Sequence, residues 1–314
     1  MSIKIARYSS DLRGDWDAVL ASSKNGIFQF DRNFIEYHGS RFTDYSMIVY
    51  CDDRPTAIFP AAISADGSKI ISHPGITFGG FVLRRDVWSK DSFCIVDGVL
   101  DRLKCDGFRE VYIKLLPTLF TNYPSSEIDY ALWRRGFALF RRDLSSVLPT
   151  ENPLPPSKLR RRQALKAEKA GVSLSSTGIE AFHLILSATL RERHAVDPVH
   201  TLDELKLLQA TFPNKILLRV ANRCGATLAG SLLFLYERVW HTQYLATSEE
   251  GRKLGALDFV IGKIIDEARN RGAEYISFGA STTDNGKQLN EGLLWQKESF
   301  GARAIVHDFV QGAL

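Results

Sequence analysis

Side chains that can transfer protons are concentrated in the last quarter of the chain. His241 and Tyr244 lie in one apolar segment, and Glu291 lies in a short polar segment further on. Imidazole, phenol and carboxyl groups act as general acids and bases in proteins. Because successive side chains of a strand alternate, His241 and Gln243 are predicted to share one face and Tyr244 to lie on the other. A lone strand histidine is also an ordinary core residue, and this remains the alternative for His241.

A possible anion site lies between a predicted strand and the helix that begins near residue 257. Free backbone N–H groups and the helix dipole at such a junction can hold a pyrophosphate. Arg252 and Lys253 would add positive charge, whereas the two preceding glutamates would repel a phosphate. The alternative is a plain strand-to-helix turn. The predicted cofactor-binding residues are Gly251, Arg252, Lys253, Leu254, Gly255 and Ala256.

The elements that must position these residues follow an order that occurs twice, namely helix, strand, helix and strand. In the C-terminal half the predicted elements are 257–268, 274–278, 288–300 and 302–310, and in the N-terminal half they are 96–103, 110–116, 126–135 and 137–147. Glycines end both helices of each half, at Gly107 and Gly136 and at Gly272 and Gly301. Each pair is 29 residues apart. The shared order predicts a duplicated fold unit.

A proline-rich segment separates the two halves. Four prolines fall within the eight residues 149–156, and proline forbids a regular helix or a central strand there. We therefore predict an N-terminal domain at 1–149, a linker at 150–156 and a C-terminal domain at 157–314.

Each half also contains a predicted pair of strands joined by a turn. The pairs are 45–50 with 55–63 and 215–221 with 226–236. Hairpins followed by strand–helix–strand units predict an α/β fold class, with one mixed sheet per domain and flanking helices.

The composition excludes several classes of protein. Hydrophobic residues make up 45% of the 314 residues, which suffices for the cores of two domains. A net charge of +4 implies no obligate nucleic-acid partner. No stretch approaches the roughly 18 apolar residues of a spanning helix, so we expect no transmembrane segment and a cytoplasmic location. The four cysteines are scattered without metal-ligand spacing, so no metal site is predicted.

A run of cations opens the C-terminal half. One interpretation is a solvated basic helix, and the other is a patch for the phosphates of a nucleotide-sugar, a lipid-linked sugar or a tRNA. Because no aromatic residue is interleaved, the run does not predict a stacking platform for single-stranded bases. The cations are Lys158, Arg160, Arg161, Arg162, Lys166 and Lys169.

Several of these segments resemble one known family. The stretches that carry the resemblance are HTQYLA at 241–246, GRKLGA at 251–256, FGAST at 278–282, LNEGL at 289–293, QKESFG at 296–301, HPGITFGG at 73–80 and PVHTLDEL at 198–205. Together they resemble the Fem-type tandem GNAT transferases, in the branch associated with surface-polysaccharide synthesis. The resemblance spans most of the chain and is strongest from about residue 194 onward.

The resemblance implies two tandem GNAT-like domains and an enzyme, an acyltransferase that moves an acyl group from a thioester or ester carrier to an amine. Such a transfer needs an unprotonated amine, a donor for the developing oxyanion and an acid for the leaving group. The resemblance also assigns Lys297 to a position associated with a phosphate of the donor or the acceptor. The predicted catalytic residues are Glu291, Lys297, His241 and Tyr244.

Contacts to the acceptor are predicted in both halves. The glycines around Phe78 indicate backbone that passes close to a ligand or to another strand, and with His73 the resemblance favours an acceptor-binding wall. His194 and His200 flank a predicted helix end, where local capping is the alternative. The predicted substrate-binding residues are His73, Phe78, Gly79, His194, His200 and Ser281.

The expected function is N-acyl transfer from acyl-CoA, acetyl-CoA in the simplest case, to an amino group. The acceptor that the resemblance implies is an amino sugar, or a nucleotide-linked or lipid-linked sugar, destined for surface polysaccharide of the cell envelope. One alternative is a Fem-like transfer from aminoacyl-tRNA onto a cell-wall precursor. A second alternative is a non-catalytic tandem domain that binds a sugar or a partner protein.

Overall fold

The computed structural model describes residues 2–314, apart from the side chains of residues 193 and 194. The chain divides into two compact units. Unit 1 comprises Met1–Asp143, Asp284–Lys287 and Val306–Leu314, and unit 2 comprises Leu144–Thr283 and Gln288–Ile305. Residues 150–157 form neither a helix nor a strand. The domain boundaries inferred from the prolines stay a prediction.

Helices and strands alternate along the described chain. The α-helices are α1 (Arg13–Ala21), α2 (Arg32–Glu36), α3 (Ser89–Cys105), α4 (Glu127–Arg134), α5 (Lys158–Lys169), α6 (Ile179–His194), α7 (Leu202–Thr211), α8 (Glu249–Leu254), α9 (Ala256–Asn270) and α10 (Glu291–Glu298). The strands are β1 (Ile3–Arg7), β2 (Thr43–Asp44), β3 (Met47–Cys51), β4 (Arg54–Phe59), β5 (Ala62–Ile63), β6 (Lys69–Ile71), β7 (Val82–Leu83), β8 (Glu110–Lys114), β9 (Ala138–Pro149), β10 (Ser173–Ser175), β11 (Ile216–Arg223), β12 (Ala226–Leu235), β13 (Val239–Thr247), β14 (Tyr275–Ala280), β15 (Thr282–Thr283), β16 (Gln288–Leu289) and β17 (Arg303–Ala313). Short 3₁₀ helices lie at Ser10–Leu12, Phe28–Phe30, Gly39–Arg41 and Thr118–Phe120.

The duplicated order predicted from the sequence is present. It runs α3-β8-α4-β9 in the first half and α9-β14-α10-β17 in the second. The four glycines that end these helices all have positive φ, at 94° for Gly107, 80° for Gly136, 77° for Gly272 and 99° for Gly301. The mixed α/β fold class is therefore confirmed, and glycine is needed at these helix ends because other residues rarely adopt such angles.

One predicted element begins later than expected. The helix predicted from residue 288 begins at Glu291, because Gln288 and Leu289 instead pair as a strand with Thr282 and Thr283. The Asn290 side chain caps the helix by accepting a hydrogen bond from the Leu293 N–H.

The closing strands of the two repeats pair outside their own repeats. The part of β9 from Leu144 onward belongs to unit 2, where β9 is antiparallel to β14 with Leu148 opposite Ile276. The part of β17 from Val306 onward belongs to unit 1, where it is antiparallel to β8 with Val310 opposite Ile113. Each unit is thus completed by a strand from the other half of the sequence.

Unit 1 combines antiparallel strands with one parallel pair. One sheet has the order β1-β3-β4-β7, and a second set of pairings joins β2 to β5, β5 to β6, β6 to β8 and β8 to β17. Only β6 and β8 run parallel among these pairs. Apolar residues of α3 and α4, including Val96 and Leu132, pack with Val111 and Ile113 of β8 in the core of this unit.

Unit 2 has the strand order β10-β11-β12-β13-β14-β9, in which β13 and β14 are the parallel pair. Helix α9 buries Val260 and Ile264 in a core that includes Trp240 and Ile276 of the sheet and Phe300 beyond α10. In the described part of the chain, no helix has the length and apolar character needed to cross a membrane.

Candidate functional site

The parallel strands β13 and β14 of unit 2 are paired only at their beginnings. Their register joins Val239 to Tyr275, Trp240 to Ile276 and His241 to Ser277, and it ends there. Just beyond, the pairing of β13 with β12 skips Gln243, and the pairing of β14 with β9 skips Phe278. Each skip is a β-bulge, which bends its strand. Two bulges at the end of the paired region therefore part the strands.

A cavity of about 360 Å³ lies beside the unpaired part of β13. It is bounded by α5, α6, α8, α9, α10 and the end of β13. Its volume lies within the range of small-molecule sites, which have mainly apolar walls and a few fixed polar groups. All lining residues belong to unit 2, namely Leu159, Arg160, Gln163, Thr189, Leu190, Leu245, Ala246, Thr247, Gly251, Arg252, Leu257, Asp258, Leu293 and Gln296. We call it the unit 2 cavity.

The edge of β13 offers backbone hydrogen-bonding groups to this cavity. On the other edge the Ser248 N–H donates to the Leu228 carbonyl of β12 at 2.8 Å. Because backbone groups alternate between the two edges, those of Leu245 and Thr247 face the side where β14 has parted. Such an edge can bind an extended ligand as a further strand would.

Arg160 ties three helices together at the wall of the cavity. Its guanidinium lies 3.0 Å from the Asp258 carboxylate of α9 and donates to the Ser299 hydroxyl at 2.7 Å. It also lies over the rings of Trp295 and Phe300. Burial raises the pKa of Asp258, and Arg160 opposes this rise. The pair is nearly enclosed, so it fixes the wall rather than serving as a mobile charge.

One polar atom in the cavity wall lacks a partner. The Gln163 Oε1 atom is buried and has no hydrogen-bond partner among the described residues. Buried polar atoms are normally satisfied, so an orphaned acceptor in a cavity wall fits the N–H group of a ligand.

The segment 251–256, predicted to bind a cofactor at a junction between a strand and a helix, belongs to the helix α8 and its junction with α9. Ser248 caps α8 by accepting from the Gly251 N–H at 3.0 Å. A Cβ at Gly251 would lie 2.2 Å from the Leu228 oxygen, so glycine is needed there for packing. Arg252 lines the cavity, whereas Lys253 is 72% exposed and pairs with Glu249. Leu254, Gly255 and Ala256 do not line the cavity.

Two of the predicted catalytic residues meet around a glycine of β14. His241 is buried, with Nδ1 3.0 Å from the Ser277 hydroxyl oxygen. Lys297 is 5% exposed, and its Nζ donates to the carbonyl oxygens of Gly279 at 2.8 Å and Ala280 at 2.6 Å. Gly279 has a φ of 70°, and a Cβ atom there would lie 3.3 Å from the His241 ring. Glycine allows both the positive φ and the close approach of the ring.

The Lys297 amine is poised between its two protonation states near neutral pH. Burial lowers its pKa to about 7. In the neutral form an amine has two N–H groups and one lone pair. The two carbonyl oxygens can use both N–H groups, which leaves the lone pair free to accept a proton.

Tyr244 forms a separate pair with His200. The Tyr244 hydroxyl lies 2.7 Å from His200 Nδ1, and burial raises the pKa of Tyr244 to about 12. Tyr244 stands opposite Leu232 and His241 opposite Phe234, which are two residues apart on β12. Tyr244 and His241 therefore share a face, and the prediction of opposite faces was wrong because the bulge at Gln243 reverses the alternation.

The remaining predicted residues of unit 2 are dispersed. Glu291 is exposed and forms the first residue of α10. Ser281 is buried, and its hydroxyl has no hydrogen-bond partner in the described chain. The side chain of His194 lies outside the described residues. None of these assignments is tested by the geometry, and they stay predictions.

The residues predicted to contact the acceptor from the first half lie in unit 1 and are buried. His73 is enclosed, and its burial lowers its pKa to about 3. Phe78 packs against Phe120 and His307, with ring centroids 4.7 and 5.0 Å apart. A Cβ at Gly79 would lie 1.9 Å from the Ser72 oxygen, so this glycine lets two backbone segments approach each other.

Of the residues that line the cavity, the sequence singled out Gly251 and Arg252 but not Arg160 and Gln163 as site residues. Arg160 belongs to the cation run, yet it faces inward together with Gln163. The sequence signal for this inward face was the small residue Ala167, which lies one further turn along the same face of α5 and is buried.

Among the described residues, no group of three or more histidine, cysteine, aspartate or glutamate side chains is arranged to hold a metal ion.

Comparison with known proteins identifies a domain in the second half. Residues 157–285 match a family described as "Acetyltransferase (GNAT) domain". This range contains α5 to α9, β10 to β15 and most of the residues that line the unit 2 cavity. No curated protein matches the chain in sequence.

Solved structures similar to the whole chain share its fold at low sequence identity. A crystal structure of FemX superposes with a TM-score of 0.72 at 13% identity, covering 99% of this chain and 97% of that one. L-PGS from Bacillus licheniformis gives 0.63 at 12% identity, with 98% and 92% covered. A tandem GNAT protein from the clavulanic acid biosynthesis pathway gives 0.55 at 7% identity, with 99% and 98% covered. Residues 157–285 thus match a GNAT acetyltransferase domain, and the whole chain has a fold like that of a solved tandem GNAT protein.

Proposed function

We propose that the chain is an N-acyltransferase that takes its acyl group from acyl-CoA in the unit 2 cavity. The observation that carries this proposal is the cavity beside the unpaired edge of β13, most of whose lining residues belong to the matched GNAT domain. Coenzyme A supplies the acyl group as a thioester, whose carbonyl carbon is open to attack by an amine.

The residues present fit the pantetheine arm of such a donor. Its two amides need both hydrogen-bond donors and acceptors, and the backbone groups of Leu245 and Thr247 on the unpaired edge supply both, although the Thr247 carbonyl also accepts from the Thr189 hydroxyl at 3.5 Å. The orphaned Gln163 oxygen adds an acceptor. Leu190 and Leu293 supply apolar wall for the carbon chain. The same backbone N–H groups are candidates for stabilising the oxyanion that develops during transfer.

Arg252 is our candidate for the pyrophosphate. It lines the cavity at the junction of α8 with α9, where the first N–H groups of α9 also favour negative charge. Glu192 lies 3.6 Å from Arg252 at an exposed position, so a bound phosphate would compete with it for the guanidinium. Lys253 points away and is not part of this proposal.

Lys297 is our candidate for the proton acceptor. The amine nitrogen bonds to the acyl carbon, the carbon–sulfur bond breaks, and its electron pair stays with sulfur. The proton released by the amine passes to the lone pair of neutral Lys297 and finally to the sulfur. Burial lowers the pKa of Lys297 to about 7, which suits a base at neutral pH. His241, Tyr244 and Glu291 remain predicted participants without an assigned step.

For the acceptor we propose an amino sugar, free or linked to a nucleotide or lipid, as a precursor of surface polysaccharide. This part rests on the sequence resemblance alone. Acceptor contacts proposed from it are His73, Phe78, Gly79, His194, His200 and Ser281, of which Ser281 has a buried hydroxyl without a hydrogen-bond partner in the described chain.

Calorimetric titration with acetyl-CoA and with free CoA tests the donor. The variants are Arg252→Glu and Lys253→Glu, which make the same charge change at neighbouring positions. We expect micromolar binding by the wild type and by Lys253→Glu, and at least tenfold weaker binding by Arg252→Glu. Absence of binding by the wild type would refute the CoA donor and favour aminoacyl-tRNA transfer or a non-catalytic role. Equal loss in both variants would refute the assignment of Arg252.

A further inference from the structure

The outward face of α5 carries a continuous basic stripe. Lysines and arginines occupy it at intervals of three and four residues, with one leucine at the centre. This spacing puts all of them on one side of the helix. All six residues are exposed, namely Lys158, Arg161, Arg162, Leu165, Lys166 and Lys169.

The cations of this stripe are largely uncommitted. Lys166 donates to the carbonyl oxygen of Lys253. The other four, Lys158, Arg161, Arg162 and Lys169, have no ion pair within the described chain, although most of the exposed cations of this unit outside the stripe have one. A stripe of unpaired like charges is a cost in the isolated chain, and an acidic partner would remove that cost.

The basic stripe adjoins the unit 2 cavity. The open groove formed by the stripe also includes Gln163, and Gln163 is at the same time a wall of the unit 2 cavity. A molecule docked on the stripe would therefore sit beside the cavity that we propose for the pantetheine arm.

We infer that the basic stripe of α5 docks an acidic carrier protein whose phosphopantetheine arm delivers the acyl thioester into the unit 2 cavity. This inference rests on the proposed function, because the phosphopantetheine arm of the carrier would occupy the same cavity as the arm of CoA, and it adds a protein-bound thioester as a second form of the donor. The reaction balances as for CoA: the carbon–nitrogen bond forms, the carbon–sulfur bond breaks, and the amine proton ends on the carrier thiol.

A protein carrier fits the stripe better than a nucleic acid does. Residues 158–169 span about 16 Å along the helix axis, which matches one helix of a small partner. Leu165 is 53% exposed at the centre of the stripe and suits an apolar contact with a protein surface. The stripe holds no aromatic residue for base stacking, which a platform for single-stranded nucleic acid would use.

The test measures binding of a bacterial acyl carrier protein in its holo form, which bears 4′-phosphopantetheine, and in its apo form. The stripe variant is Arg161→Glu/Arg162→Glu/Lys169→Glu. The control Lys90→Glu/Lys104→Glu/Arg109→Glu makes the same charge change at exposed positions of unit 1. Free CoA and bulk tRNA are titrated in parallel.

We expect the holo carrier to bind the wild type and the control at least tenfold more tightly than it binds the stripe variant. The holo carrier should also bind the wild type more tightly than the apo carrier does. CoA should bind all three proteins equally, which also shows that the variants are folded. If CoA binds but the holo carrier does not, or binds the stripe variant equally well, the inference is wrong and the proposed function stands. Stripe-dependent binding of tRNA without carrier binding would also overturn it. Loss of both CoA and carrier binding by the wild type would refute the proposed function itself.

Discussion

The two units use the same repeated elements in different ways at the end of the parallel strand pair. Gly107 and Gly272, and likewise Gly136 and Gly301, are 165 residues apart, so this offset relates the repeats. Leu293 of α10 lines the 360 Å³ cavity of unit 2. Its counterpart Ile128 of α4 lines a space of only about 20 Å³ in unit 1. One copy of the motif is open to a ligand, and the other is filled by its own side chains.

The buried lysines show how the two copies diverged. Lys114 of unit 1 lies at the end of β8 and donates to the carbonyl oxygens of Pro74 and Ile76. Its counterpart in unit 2 is Gly279, which receives a hydrogen bond from Lys297 of α10. The counterpart of Lys297 is Leu132, which is buried in the unit 1 core. The buried amine is thus on the strand in unit 1 and on the helix in unit 2, where α10 also contributes Leu293 to the wall of the unit 2 cavity.

The largest expected effect comes from replacing Lys297, whose amine distinguishes α10 of unit 2 from α4 of unit 1. Lys297→Met should lower kcat/KM about 100-fold, because general base catalysis contributes roughly 10²–10⁴ in rate. Lys297→Arg should be as impaired, since arginine keeps N–H donors but has no lone pair to accept a proton. The counterpart variant Leu132→Met should change kcat/KM less than threefold. Steady-state acyl transfer measures all three, and an active Lys297→Arg enzyme would assign Lys297 to positioning alone.

The glycines that pack each unit provide a second test. Gly251→Ala in unit 2 and Gly79→Ala in unit 1 each place a methyl group against a backbone oxygen. Overpacking should lower the free energy of unfolding of either variant by about 1–3 kcal/mol in urea titrations. Gly262→Ala, where nothing lies within 4 Å, serves as the control and should be neutral or stabilising. We expect Gly251→Ala to weaken CoA binding and Gly79→Ala to leave it unchanged, and the reverse pattern would place the donor in unit 1.

How far the sequence predicts this site depends on the range of the interactions. Periodicity and helix-ending glycines predicted both repeats and the fold class, because these signals act within a few residues. The exchange of β9 and β17 between units has no local signal, since strands pair through backbone groups that every residue except proline carries in full. The bulge at Gln243 was equally hidden, and it reversed the predicted face of Tyr244. Arg160 was mistaken for part of an exposed run because only tertiary packing turns it toward Asp258 and Ser299.

The buried lysines also predict how stability depends on pH. Burial lowers the pKa of Lys297 from 10.5 to about 7 and that of Lys114 from 10.5 to about 8. Between the folded and unfolded pKa values the unfolded chain holds a proton that the folded chain has released, so stability rises with pH. Relative to Lys297→Met, the wild type should gain stability from about pH 7 to 10.5, and relative to Lys114→Met from about pH 8. Urea unfolding at several pH values measures the free energy of unfolding of all three proteins. If this free energy depends on pH in both variants just as it does in the wild type, the assignment is contradicted.

The smallest effect concerns the pair formed by Tyr244 and His200 in unit 2. Tyr244→Phe removes the hydroxyl that lies 2.7 Å from His200 Nδ1 and keeps the ring. Loss of one such hydrogen bond should lower the free energy of unfolding by about 1 kcal/mol. If the pair only holds the loop before α7 against β13, the variant should keep most of its activity. Tyr45→Phe in unit 1, which removes an exposed hydrogen bond to Asp106, is the matched control and should cost less. A loss of kcat/KM beyond tenfold in Tyr244→Phe, with the stability change unaltered, would instead make Tyr244 the acid that protonates the leaving sulfur.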